Sequence, residues 1–223
     1  LKCMTWNIHH GEGTDTSYDL NRIADYIADQ NPDVVGLEEV YEPYTNFDNQ
    51  LTLIKNRIQS RLGGTWYSAF GSNVDVVYVH MGNGIISRYP IISSTNHSIL
   101  PQIGSEQRGC LESQLNCNGT TVNVFITHWA HDTETERILS AQSCLIWMSQ
   151  ATGPSILMGD LNSRHYSLPF NIMKTQYVDA IGTNALGQTN TVSNPSTTQR
   201  IDHIFMPPYQ ILGDSYVGNY GAA

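Results

Sequence analysis

Basic residues are scarce in this chain. Its 11 Lys and Arg stand against 20 Asp and Glu, a formal net charge of −9, and the cations form no run. That excludes a tight, non-specific grip on nucleic acid through phosphate neutralisation, which needs clustered Lys and Arg. It does not exclude a nuclease, because a bound cation can offset negative charge at the site itself. Long apolar runs are missing too. Segments such as Val34-Val35-Gly36-Leu37 and Ile85-Ile86 fall far short of the roughly 20 residues that span a bilayer, so no transmembrane segment is expected. Cysteines number four in 223 residues, too few for a disulfide scaffold. Cys3, Cys110, Cys117 and Cys144 show neither CxxC pairing nor metal-ligand spacing. Cys3, in an apolar strand, and Cys144, in a helix, read as buried free thiols. Charged residues are 14% against 40% hydrophobic, which excludes a disordered chain and a coiled coil.

The length suits one sizeable core. No linker, repeat or low-complexity segment divides the chain, so residues 1–223 read as a single domain, and a monomer is expected. Leu1 is not an initiator Met and no signal-like stretch precedes the first strand, so both ends are expected to be cut. Asn96-His97-Ser98 and Asn118-Gly119-Thr120 are glycosylation sequons, a triplet that arises often by chance. The compartment stays open; an extracytoplasmic or secreted one is compatible with the sequence.

Periodicity supplies the elements. Lys2 to Ile8 reads as a strand ending in a polar turn at His9 to Gly13. Ser17 is the expected cap of a helix carrying Leu20, Ile23, Ala24, Ile27 and Ala28 at helical spacing, which Asn31-Pro32 stops. Val34-Val35-Gly36-Leu37 is continuously apolar, as in a strand buried on both faces. A helix over Asp48 to Leu62 should turn Leu51, Ile54 and Ile58 inward and end at Gly63-Gly64. The middle is β-rich, with strands expected over Trp66–Phe70, Val74–His80, Gly84–Ser87 and Ile91–His97. Cys110–Asn116 and Val122–His128 flank Asn118-Gly119, the strongest hairpin signal in the chain. A helix over Glu134–Gln150 should bury Ile138, Ala141, Leu145 and Met148, and strands follow at Ser155–Gly159, Arg200–Met206 and Ser215–Tyr220. Helices at each end of a β-rich middle predict an α/β (α+β) fold, a four-layer α/β/β/α sandwich of two mixed sheets with outer helices.

Polar residues then gather where apolar strands finish: Asn7, Glu38-Glu39, His128, Asp160 with Asn162, and Asp202. A single Asp or Asn at a strand end is most often a turn-former, so the weight lies on the set. Carboxylates and amides are hard oxygen ligands, suited to Mg²⁺. Glu39 as principal ligand, helped by Asn7, meets its demand for one or two carboxylates plus water and phosphate oxygens. Asp160 and Asn162 lie two apart in an extended segment and can face one side, placed to hold a water for in-line attack on phosphorus.

Six motifs occur in order: Thr5-Trp6-Asn7-Ile8, Val35-Gly36-Leu37-Glu38-Glu39-Val40, Gly84-Ile85-Ile86-Ser87-Arg88-Tyr89-Pro90, Thr127-His128, Gly159-Asp160-Leu161-Asn162 and Arg200-Ile201-Asp202-His203-Ile204. Together they resemble the endonuclease/exonuclease/phosphatase superfamily, the deoxyribonuclease I-like fold, over nearly the whole chain. Glu38 stands where that family usually has Gln. The resemblance implies a Mg²⁺-dependent phosphoester hydrolase (Mn²⁺ being an alternative ion), with Asn7 and Glu39 on the metal and Asp160 and Asn162 orienting the nucleophile. It implies His128 on the phosphate or leaving group, and Asp202 behind a histidine base. Arg108, in Glu106-Gln107-Arg108-Gly109, resembles an arginine that steadies the scissile phosphate, and Asn83, in Gly82-Asn83-Gly84, is a second phosphate-binding candidate. Thr127-His128-Trp129-Ala130-His131 with Arg137 and Gln142 resembles the sphingomyelinase-like, lipid-associated branch. The substrate is expected to be a lipid head group, a small phosphoester or nucleic acid, with Tyr41, Tyr44, Trp66, Trp129 and Tyr166 available for an apolar rim.

Relatives carry a Ser-Asp-His motif opening a final strand, after the segment that here ends in Gly221-Ala222-Ala223. The resemblance therefore implies a missing last strand and general base, with metal and phosphate binding retained and turnover lowered by about 10²–10⁴-fold. His203 should face away from the site, since adjacent strand residues point to opposite faces. Two alternatives stay open: a deoxyribonuclease-like endonuclease, or an impaired family member that binds a phosphorylated ligand or partner.

Overall fold

A computed structural model describes residues 1–43, 49–76, 78–100, 105–181, 185–187, 191, 199–209 and 215–217. Asp48, Tyr44 and Gly221-Ala222-Ala223 lie outside the described residues. In chain order the elements are β1 (Cys3–Asn7), a 3₁₀ turn (His9–Gly11), α1 (Leu20–Gln30), β2 (Val34–Pro43), α2 (Gln50–Leu62), β3 (Tyr67–Val76) and β4 (Val79–Ser87). There follow β5 (Ile91–Ile99), β6 (Arg108–Cys117), β7 (Thr120–Thr127), α3 (Glu134–Gln150), β8 (Ser155–Asp160) and α4 (Leu168–Met173). Last come β9 (Val178–Asp179), β10 (Ala185–Gly187), β11 (Asp202–Met206) and β12 (Ser215–Val217).

Two mixed sheets form, in the orders β1-β2-β4-β3 and β5-β6-β7-β8-β11-β9, with β10 and β12 paired separately. The pairs β1–β2 and β7–β8 are parallel, each joined through a helix. The apolar residues of each strand alternate between two cores, as a period of two requires. Val35, Leu37 and Ile86 pack under α1 and α2 with Ile23, Ile27, Ile54 and Ile58. Their neighbours Val34 and Ile85 turn the other way and meet Leu111, Val124, Ile126 and Met158 between the sheets. Phe125, Leu157 and Phe205 lie beyond, under α3 and α4 with Cys144, Met148 and Phe170. Three cores thus separate four layers, in the order helix, sheet, sheet, helix.

Several local signals behaved as chemistry dictates. Asn118 and Gly119 both adopt positive φ, 55° and 92°, as a two-residue turn between twisted strands demands. Helix α1 buries Leu20, Ile23, Ala24, Ile27 and Ala28. Its cap is Asp19 rather than Ser17: the Asp19 carboxylate accepts from the Arg22 amide at 3.0 Å. The expected strand Val74–His80 is instead split, because Val76 pairs with Val79 across a hairpin. Among the described residues no helix is long and apolar enough to cross a membrane, and all four cysteines are free.

Candidate active site

The ends of β1, β2, β7, β8 and β11 converge. On β2 the chain would send Glu38 and Glu39 to opposite faces, but the register with β4 slips between Leu37 and Val40. This is a bulge, a device that re-aims a side chain. Glu39 takes the left-handed conformation at φ 55° and keeps 21% side-chain exposure, whereas Glu38 is fully buried. The Asn7 amide donates to Glu39 Oε1 at 2.9 Å and to Asp160 Oδ2 at 3.3 Å, tying β1 and β2 of one sheet to β8 of the other.

Gly159 makes that meeting possible. Its φ is +154°, and a Cβ there would lie 1.8 Å from the Thr127 carbonyl oxygen. Only hydrogen lets β8 run so close to β7 that His128 Nε2 stands 3.7 Å from Asp160 Oδ2. Gly159→Ala should therefore push the two strands apart and destabilise the fold by about 1–3 kcal/mol, read as a lower urea midpoint; an unchanged midpoint would show that the close approach is not required.

His128 is buried and held between two donors. Arg108 Nη1 lies 3.0 Å from its Nδ1, and Asn162 Nδ2 lies 3.1 Å from its Nε2 while also donating to Trp129 O at 2.9 Å. Burial, then the Arg108 charge, pushes the His128 pKa down to about 3, so the ring is neutral at physiological pH. A neutral imidazole accepts at one nitrogen only. One of the two donors is thus surplus, and an oxyanion reaching the ring would take it. Arg108 carries a second unspent donor, since its Nε is buried with no partner, while Nη2 pairs with Glu106 at 3.1 Å.

Negative charge is crowded at the other end. Burial pushes the Glu38 carboxyl well above the ordinary range, with Asp202, Asp160 and Glu39 adding to it against a hydrogen bond from Thr5. Asp202 is likewise pushed well up by burial and by Asp160, and Asp160 is raised by burial despite donors from Asn162 and Asn7. Glu38 Oε2 is buried with no hydrogen-bond partner. Crowded carboxylates of this kind are hard donors whose repulsion a divalent cation relieves, so the residues suit such an ion.

Other sequence-derived candidates lie differently. Asn83 is buried, and its amide donates to the Gly109 and Ile126 carbonyls at 3.1 and 3.3 Å. Both its N–H groups are spent joining the sheets. Of the rim aromatics, Trp129 is fully buried under α3 and Trp66 is buried beneath the Arg88 guanidinium; Tyr41 and Tyr166 remain accessible. His203 does face away from the site: its Nε2 meets Ser163 O at 2.8 Å, and its ring packs on Phe170. Asp202 lies across from Asp160 in the β8–β11 register. Arg137 donates to the Ala130 and His131 carbonyls, pinning the loop after His128. Thr5, the first residue of the Thr5-Trp6-Asn7-Ile8 motif, braces Glu38 at 2.8 Å and shares a strand face with Asn7 by simple alternation.

Comparisons with known proteins agree with this architecture. An endonuclease/exonuclease/phosphatase family protein from Leptotrichia buccalis superposes with a TM-score of 0.75 at 21% identity, over 92% of this chain and 87% of that one. A mannosyl-6-phosphatase from Bacteroides thetaiotaomicron gives 0.68 at 17% identity, over 94% and 86%. In sequence, 161 residues are 26% identical to protein cwh43 of Schizosaccharomyces pombe, which is 69% of this chain. The matched segment spans 15% of that relative's length. Residues 4–222 match the profile of the Endonuclease/Exonuclease/phosphatase family, and with the strand-end site in place the chain belongs to that family.

Proposed function

We propose that this chain is a Mg²⁺-dependent phosphoester hydrolase of the phosphodiesterase or phosphatase kind, in which water attacks phosphorus directly. One observation carries the reading. Glu39, Asn7, Asp160, Asn162, His128 and Arg108 form a single continuous line of polar contacts drawn from both sheets. Glu39 and Asn7 would hold Mg²⁺, with Mn²⁺ as an alternative, leaving positions for water and phosphate oxygens. When bound, the ion supplies charge neutralisation on the phosphoryl oxygens and acidifies water.

The side chains do the rest. Asp160, whose Oδ1 accepts from the Asn162 amide at 2.9 Å, orients the attacking water and receives its hydrogen. Burial and the negative charge of Glu39 raise the Asp160 carboxyl, which favours a proton there. Arg108 and the neutral His128 ring offer donors to the phosphoryl oxygens. With a net charge of −9 and no basic run, a small phosphoester or a lipid head group suits the chain better than nucleic acid.

A second reading has one observation in its favour. Among the described residues no histidine ring hydrogen-bonds the Asp202 carboxylate, which favours a binder of phosphorylated ligands without turnover. One experiment separates the two. After stripping with EDTA, hydrolysis of bis(p-nitrophenyl) phosphate should vanish, return with Mg²⁺, and fail to return in Glu39→Ala. Undiminished hydrolysis in EDTA or in Glu39→Ala would sink the first reading; Mg²⁺-dependent phosphate binding without hydrolysis would establish the second.

A further inference from the structure

We propose that His9, His10 and Glu39 form a binding site for a transition-metal cation such as Zn²⁺, beside the hydrolytic centre and sharing one carboxylate with it. Each of the three residues presents a ligand atom, and these atoms all lie within 4.8 Å of one another. Two imidazole nitrogens and a carboxylate oxygen are a zinc-type set, whereas Mg²⁺ is served by oxygens. Imidazole donors favour the later first-row divalent ions. Bonds of about 2.0–2.2 Å would draw the three atoms closer than they stand, a change that rotation of the exposed His9 ring and the half-buried His10 ring can supply.

The backbone arranges the pair. Adjacent residues of an extended chain point to opposite sides. Here both His9 and His10 hold φ 45°, a conformation uncommon for residues other than glycine, and their ring centroids come within 4.3 Å. The turn is clamped on both sides. The His9 amide donates to Asn7 Oδ1 at 3.0 Å, and the His10 carbonyl accepts from Gln50 Nε2 at 2.7 Å. The His10 ring stacks on Tyr41 at 5.1 Å, and its Nε2 stands 3.8 Å from Glu12 Oε2, close enough to orient the ring. Three protein ligands leave at least one position open to water or an oxyanion, the composition of a reactive rather than a closed zinc site.

The proposal does not rest on the hydrolase reading: the cluster would bind zinc even in a chain without turnover. The test uses the EDTA-stripped full chain and two readouts. Calorimetric titration should give one Zn²⁺ bound per chain, and His9→Gln with His10→Gln should weaken that binding by more than about 10–100-fold, the range that loss of even an outer partner of a metal ligand costs. Because a variant can misfold, the unmodified chain loaded with one equivalent of Cu²⁺ is examined by pulsed electron paramagnetic resonance. Modulation from imidazole nitrogens, lost in the double variant, is the expected result. Absence of that modulation in the unmodified chain, or Zn²⁺ affinity unchanged in a folded double variant, would overturn the site.

Discussion

Asp160→Asn slows phosphodiester hydrolysis by about 10²–10⁴-fold, the range associated with loss of a positioned proton acceptor, while the folded state persists. The substitution keeps the shape of the side chain and one acceptor. Asp160 Oδ1 accepts from the Asn162 amide and Oδ2 from the Asn7 amide. An asparagine that serves Asn162 must turn its own NH₂ toward that of Asn7, donor against donor, so the link between the sheets fails at the point where water is to be held. The stability lost with that contact is offset, so the fold persists. The carboxyl is already raised by burial and by the negative charge of Glu39, and a neutral amide removes that repulsion. A variant that keeps the original rate, or one that loses activity only because it unfolds in a thermal melt, would contradict the role assigned to Asp160.

Asp179→Ala is the largest expected loss of stability, about 3–5 kcal/mol, because it strands a buried cation. Arg200 meets Asp179 through two parallel contacts, 3.2 and 2.5 Å, with side-chain exposures of 8% and 3%. Asp179 belongs to β9, which pairs with β11, so the ion pair anchors the strand that carries Asp202. Burial would raise the Asp179 carboxyl, but His203 and Arg200 outweigh it and hold the carboxyl below its ordinary value. The sign follows. A depressed carboxyl contributes stability above the unfolded value of about 3.9 and loses that contribution as pH falls through the folded value. Urea midpoints of the wild type and Asp179→Ala should stand well apart at neutral pH and approach one another in acid. A cost under about 1 kcal/mol at neutral pH would place the pair among weak surface bridges instead.

Much of the fold was legible because alternation and punctuation are local properties. Val34-Val35-Gly36-Leu37 faces two cores, as its unbroken apolar run implied, and α3 occupies Glu134–Gln150 as its spacing implied. What escaped depended on tertiary context. Val74 to His80 is β-prone throughout, so propensity could not show that the chain reverses between Val76 and Val79. Helix α4 is short and opens on Pro169, too little for a periodic signal. Trp129 is one of the aromatics available for a rim, yet its place under α3 is decided by where β7 ends on the sheet. The strand-end set was legible because strands deliver their last residues to a common edge. The left-handed turn that brings His9 beside His10, and the bulge that turns Glu39 outward from Glu38, are backbone events with no sequence signature.

Direct attack of water on phosphorus, at a site built by those strand ends, is the central claim, and the fate of a labelled oxygen tests it. Hydrolysis of a phosphodiester with Mg²⁺ in oxygen-18-labelled water should place the label on the phosphorus of the product, and Asp160→Asn should suppress formation of that labelled product. Label recovered in the alcohol instead, or equal labelled product from the wild type and Asp160→Asn, would contradict it.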